Sequence, residues 1–367
     1  MKDDLKLVYC FFLCLCTWGL QAQPASTTSF PSQLHFEVVE LPGIGSKINI
    51  ESIIQDSAGY MWFATGQGLV RYDGHRTKIF THDLLDPRSI SSNDISVLHL
   101  DQLGVLWIGT YDNGFNRMDP ESETFNRYLP GRVIWTITDD HQGNIWAGGI
   151  LTLVRLDLQS DSLRHFTTGD IDTASNMVMS LQVDAEGTLW IGFGGFGNTQ
   201  RGLHRFDPEQ ESFTQYDLRE NPRSGMSNLL MDGLQSIWMG GSEGLLRINR
   251  STTEITTIPL YPPAVGITSL IRDLNNKLWV GTIARGLYFY DPESSQQAYF
   301  EQDKAGDGLP NDAIWRMYQS RDSVYWVGTG RSGNQLSTTD RKKSINMCWR
   351  MQTHLSLQKI LVPDIYG

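Results

Sequence analysis

Cysteine is almost missing from this chain once its first residues are passed. Of four, Cys10, Cys14 and Cys16 lie close to the N-terminus and only Cys348 lies beyond. That excludes an internal disulfide in the rest of the chain, so stability has to come from packing. Positive charge is scarce as well: 30 Lys and Arg face 41 Asp and Glu, a net charge of -11. Nucleic acid and anionic membranes require clustered cations, so neither is expected as a partner. After the N-terminus no run approaches about 18 consecutive apolar residues, and no membrane span is expected in the mature chain. Catalytic signatures are lacking too. No His stands two or four residues from another, and no G-x-S-x-G elbow or Gly-rich phosphate loop occurs. The sequence therefore predicts no metal, no cofactor and no enzymatic chemistry.

The N-terminus, by contrast, carries a clear pattern. Lys2 and Lys6 precede the apolar run Leu7 to Leu15, which is too short for a comfortable span, and Gly19 and Ala22 offer small residues for cleavage before Gln23. Residues 1–22 read as a signal peptide, which places the mature chain in the periplasm or outside the cell.

Tryptophan is abundant and periodic. Trp62, Trp107, Trp146, Trp190, Trp238, Trp279 and Trp326 follow one another at 39 to 48 residues, a mean of 44. That is the period of one four-stranded propeller blade. Six residues before each Trp stands Asp56, Asp101, Asp140, Asp184, Asp232 or Asp273, with Ser320 in the last repeat. Three residues after the Asp comes Gly59, Gly104, Gly143 or Gly187, and later Gln235, Asn276 or Ser323, which reads as a tight turn. Twelve residues before each Trp the chain is always apolar: Ile50, Ile95, Ile134, Val178, Met226, Ile267 and Ile314. The pattern predicts an all-β fold, a seven-bladed β-propeller with four antiparallel strands per blade, over residues 34–340. The segment near Leu34 to Leu41 is expected to add a strand that closes the ring. Residues 341–367 lose the pattern and read as an irregular, truncated tail.

These motifs resemble the two-component regulator propeller repeat. The likeness lies in Ile53 to Gly74 (IIQDSAGYMWFATGQGLVRYDG), in the connector Asp86 to Ile95 and in Asp307 to Ile314. The resemblance implies an extracytoplasmic sensor propeller of a two-component system whose output part, a histidine kinase or diguanylate cyclase, lies outside this chain. It also implies an oligosaccharide or similar solute as ligand, and a homodimer or a separate sensor kinase as partner. Two alternatives stay open: a protein-docking propeller without a small ligand, and a propeller lyase, which would need a His beside a Glu on the loop face.

The recurring Asp residues are expected to cap turns, and Arg71, Arg117, Arg155, Arg205 and Arg247, which recur in the third strand, to bond one blade to the next. Residues that break the repeat are the better guide to function. Loops between the second and third strands hold Asp112, Asn113, Asn198, Arg201, Glu243, Arg285 and Arg331. Eleven residues before the Trp stand Glu51, Ser96, Trp135, Met179, Ser227, Thr268 and Trp315. Trp135 and Trp315 are not demanded by packing there. With Arg201, Arg285 and Arg331 they form the expected ligand site, because aromatic faces and forked cations suit a sugar.

Overall fold

The computed structural model describes residues 34–39, 41–44, 49–166, 177–194, 202–207, 210, 212–216, 228–233, 235–241, 244–264, 266–302, 309, 311–329 and 348–353, all within one compact unit. The described residues form strands in four-stranded antiparallel sheets. Six sheets are blades of four consecutive strands, spanning 50–80, 95–128, 136–165, 177–215, 228–258 and 267–300. They are numbered one to six below. The inner strand of each packs on that of the next, and the circle closes on the first through Ile314–Gln319.

The expectation of seven blades is corrected here: six sheets are blades of consecutive strands. The remaining four-stranded sheet is assembled from both ends of the chain. Its order is Ile314–Gln319, Tyr325–Thr329, Cys348–Thr353 and then Leu34–Val39. The strand near the N-terminus does close the ring, with Leu34 opposite Thr353 and Val39 opposite Cys348. The third strand, however, comes from the stretch read as an irregular tail. Periodicity missed it because in blades one, three and five the Arg opposite the Trp follows it by nine residues, whereas Trp326 pairs with Arg350.

Each Trp lies between blades, as its size suggests. Trp62 packs with Ile95, Leu98 and Ile108 of blade two, and Trp190 with Leu229 and Ile237 of blade five. Its indole Nε1 donates to the Asp six residues earlier, at 2.7–3.1 Å in all six blades, and Ser320 Oγ takes the bond from Trp326 at 3.1 Å. The other oxygen of that Asp caps its turn. Asp184 Oδ1 accepts from Glu186 and Thr188 N–H, and Gly187 adopts a left-handed conformation at φ 83°. One motif thus ties the turn, the indole and the inter-blade core together. The Gly two residues after the Trp is equally constrained. A Cβ on Gly148 would come 2.3 Å from Val178 of the next inner strand.

The role expected of the repeated Arg needs correction. Cross-strand register sets Arg71, Arg117, Arg155 and Arg247 over the Trp of their own blades, with guanidinium carbons 5.4–5.8 Å from the rings. This is a cation–π contact within a blade. Among the described residues, only Arg71 of these also reaches the next blade, through Glu123 at 3.0 Å. Blade-to-blade bonds come instead from hydroxyls ten residues before the Trp. Thr136 Oγ1 accepts from Leu181 N–H, Ser180 Oγ from Leu229 N–H and Ser269 Oγ from Met317 N–H, each at 3.0–3.2 Å.

Candidate functional site

Antiparallel blades place the connectors between blades and the loops between second and third strands at one end of the fold, here called the loop face. The D-x-x-G turns lie at the other end, the turn face. On the loop face the start of each inner strand surrounds the axis, and residues there need not repeat.

Glu51 is the centre of that region. It is 8% exposed, and one oxygen of its carboxylate takes two hydrogen bonds. Oε2 accepts from Tyr111 Oη at 3.0 Å and from Trp315 Nε1 at 3.1 Å. Arg316 Nε donates to the Glu51 carbonyl at 2.6 Å, and its Nη1 to Thr268 O and Trp315 O, both at 2.9 Å. Residues from blades one, two and six and from the closing sheet therefore meet in one bonded cluster. Burial, and then the neighbouring Glu51 carboxylate, push the Tyr111 hydroxyl well above the usual phenol range. It stays protonated and donates.

Next to this cluster lies an open pocket of about 430 Å³ between blades one and two. Its walls come from the second-to-third-strand loops of both blades and from the connector that joins them. Tyr111 links the two features, since its N–H donates to Asp94 O at 3.0 Å and Asp112 follows it in the chain. Burial raises the Asp94 carboxyl above the ordinary carboxylate range, helped by the charges of Asp112 and Glu51. Among the described residues no group of three or more His, Cys, Asp or Glu could hold a metal.

The residues expected to form the site fare unequally. Trp315 is half-buried and belongs to the Glu51 cluster. Trp135 is also half-buried at the start of its inner strand, where its N–H donates to Gly148 O at 2.8 Å. Arg285 is exposed on its loop, with its N–H capped by Thr282 Oγ1. Arg201 and Arg331 lie outside the described residues. Sequence reasoning noted Glu51 only as a variable position and passed over Tyr111 and Arg316. The available signal was that Glu51 is the one carboxylate among seven aligned positions.

The two-component regulator propeller family matches the chain at residues 89–112 and 308–331. No curated protein matches the sequence. Among solved structures, the extracellular domain described as that of the hybrid two-component system BT3049 from B. thetaiotaomicron is similar. Its TM-score is 0.70 at 20% identity, over 86% of this chain and 41% of that one. The corresponding domain of BT4673 from the same organism gives 0.68 at 22%, over 86% and 39%. A catalytically inactive virginiamycin B lyase variant from Staphylococcus aureus, with quinupristin, gives 0.63 at 14%, over 87% and 99%. Likeness at these identities concerns the fold. The chain spans about two fifths of the two sensor domains, and no helix among its described residues is long and apolar enough to cross a membrane. The chain thus carries two stretches that match the two-component regulator propeller repeat, one in blade two and one in the closing sheet, on a fold similar to that of such extracellular domains.

Proposed function

We propose that the chain is the extracytoplasmic input propeller of a two-component signalling system, and that it senses an oligosaccharide or similar solute on its loop face. The observation that carries this reading is the Glu51 cluster. A buried carboxylate, a Tyr, a Trp and an Arg from three sheets meet at positions where the repeats differ from one another. Blades bonded to one another in this way can pass a change at the axis to their neighbours. Trp135, Trp315, Arg201, Arg285 and Arg331 supply the stacking and forked donors of the proposed site. The output is a histidine kinase or diguanylate cyclase in a longer polypeptide or a separate one, reached through a homodimer or a partner kinase, and the compartment is periplasmic or extracellular. The docking-scaffold reading needs no polar cluster at the axis. The lyase reading needs catalytic side chains that the Glu51 cluster, without His, does not provide.

The test is calorimetry of the parent and of a Trp135→Ala, Trp315→Ala double variant against a panel of neutral and acidic oligosaccharides. The parent is expected to bind one class, and the variant to stay folded and bind at least tenfold more weakly. Equal binding by both, or no binding by the parent, favours the docking scaffold.

A further inference from the structure

The pocket between blades one and two is unusual in its balance of hydrogen-bonding groups. His82 lines it, and its Nδ1 lies 2.8 Å from Ile90 O. A carbonyl oxygen only accepts, so Nδ1 carries the proton and Nε2 of the neutral ring is left as an acceptor. The His82 N–H donates to Asn93 Oδ1 at 2.7 Å, which fixes the amide and leaves its Nδ2 to donate. Ser92 Oγ accepts from Asp94 N–H at 3.0 Å and keeps its own proton free. Asp94 and Asp112 complete the wall. Among the described residues neither carboxylate takes a side-chain hydrogen bond, and Asp94 Oδ1 faces the bare backbone of Gly66. No Lys or Arg lines the pocket. Acceptors therefore outnumber donors, and two of the lining side chains are carboxylates.

We propose that this pocket is the recognition site for a neutral, hydroxyl-rich sugar, with Asp94, Asp112 and His82 Nε2 accepting its hydroxyls. The proposal rests on the loop face being the ligand face, and it names the class of ligand taken there. A volume of about 430 Å³ suits one or two sugar rings. Adjacent hydroxyls on a ring match the two oxygens of one carboxylate, and bonds to an ionised acceptor are the strong ones. Uronic or sulfated sugars would instead set like charge against two carboxylates at close range. The raised carboxyl of Asp94 fits the same picture, because a sugar hydroxyl would relieve the crowding that Asp112 and Glu51 impose.

Calorimetry tests this with the full chain in chelator-treated buffer. The probes are cellotriose, maltotriose, xylotriose, tri-galacturonic acid and calcium chloride. The variants are Asp94→Asn with Asp112→Asn, and Trp135→Ala with Trp315→Ala, and thermal melting controls for folding. The expected result is binding of at least one neutral trisaccharide and none of tri-galacturonic acid. The Asn pair should bind that sugar at least tenfold more weakly while melting no lower than the parent. Should the Asn pair bind like the parent while the Trp pair does not, this pocket is excluded and the loop-face reading stands. Binding of only tri-galacturonic acid or only calcium overturns the neutral-sugar assignment. Binding of nothing overturns this proposal and the sensing function with it.

Discussion

The two ends of the propeller use the same residue type for opposite purposes. On the turn face, Asp residues are fully engaged. Asp184 serves Trp190, two turn N–H groups and Arg250, the last at 2.6 Å. Asp291 bonds Lys277 Nζ at 2.8 Å and Ser294, and although burial opposes it, these bonds hold its carboxyl down at about 2. On the loop face, Asp94 is pushed upward by burial, Asp112 and Glu51. Asp291 is thus held ionised by its partners, while Asp94 at the candidate site is crowded by its neighbours. Sites that work at a cost in stability are the usual place to find such crowding.

That contrast can be pressed hardest on the turn face. Trp190→Ala should lose about 3–5 kcal/mol, as for other large core aromatics, by emptying the space between blades four and five. Asp184→Ala is expected to cost about 3 kcal/mol, since it strands the indole, the turn and a buried Arg250 together. Urea midpoints measure both, and a value near the parent's for either would deny the coupling of turn to core. Gly148→Ala should cost about 1–3 kcal/mol because its Cβ meets Val178. The Gly148→Ala change should cost less in a Val178→Ala background than in the parent, since the nearest clashing carbon is gone, and an equal cost in both backgrounds in the same assay would show that this contact is not the cause.

The pH dependences should have opposite signs at the two ends. The lowered carboxyl of Asp291 contributes stability that is present above the unfolded carboxylate range and is lost as pH falls from about 4 to about 2. Asp291→Asn should therefore be destabilised at pH 7 and converge on the parent in acid. The raised carboxyl of Asp94 works the other way: ionisation costs folding free energy as pH climbs through its titration. Asp94→Asn should melt slightly higher than the parent at pH 7, with the gain gone at low pH. Melting curves across that range decide both, and a lower melting point for Asp94→Asn at pH 7 would remove the distinction between the ends.

How much of this was legible in the sequence follows from the same division. Whatever recurs could be read: the Trp period, the Asp turns and the apolar inner positions are each imposed by a contact that every blade repeats. The Arg residues were visible but misassigned, because period alone does not tell a cross-strand neighbour from a neighbouring blade. The closing sheet was lost where the interval from Trp326 to Arg350 broke the spacing. At the site, Trp315 was found because an aromatic stands out where most other repeats carry no aromatic residue. Glu51, Tyr111 and His82 were not, because their meaning depends on partners 60, 264 and 8 residues away along the chain.

The central claim is that the loop face, and not the turn face, receives the solute. Amide hydrogen exchange of the full chain, with and without a saturating neutral trisaccharide, asks this directly. Slower exchange is predicted at residues 92–96, 111–113 and 314–316, with residues 56–60 and 140–144 unchanged. Protection confined to the D-x-x-G turns, or no protection anywhere with any trisaccharide, would contradict the account.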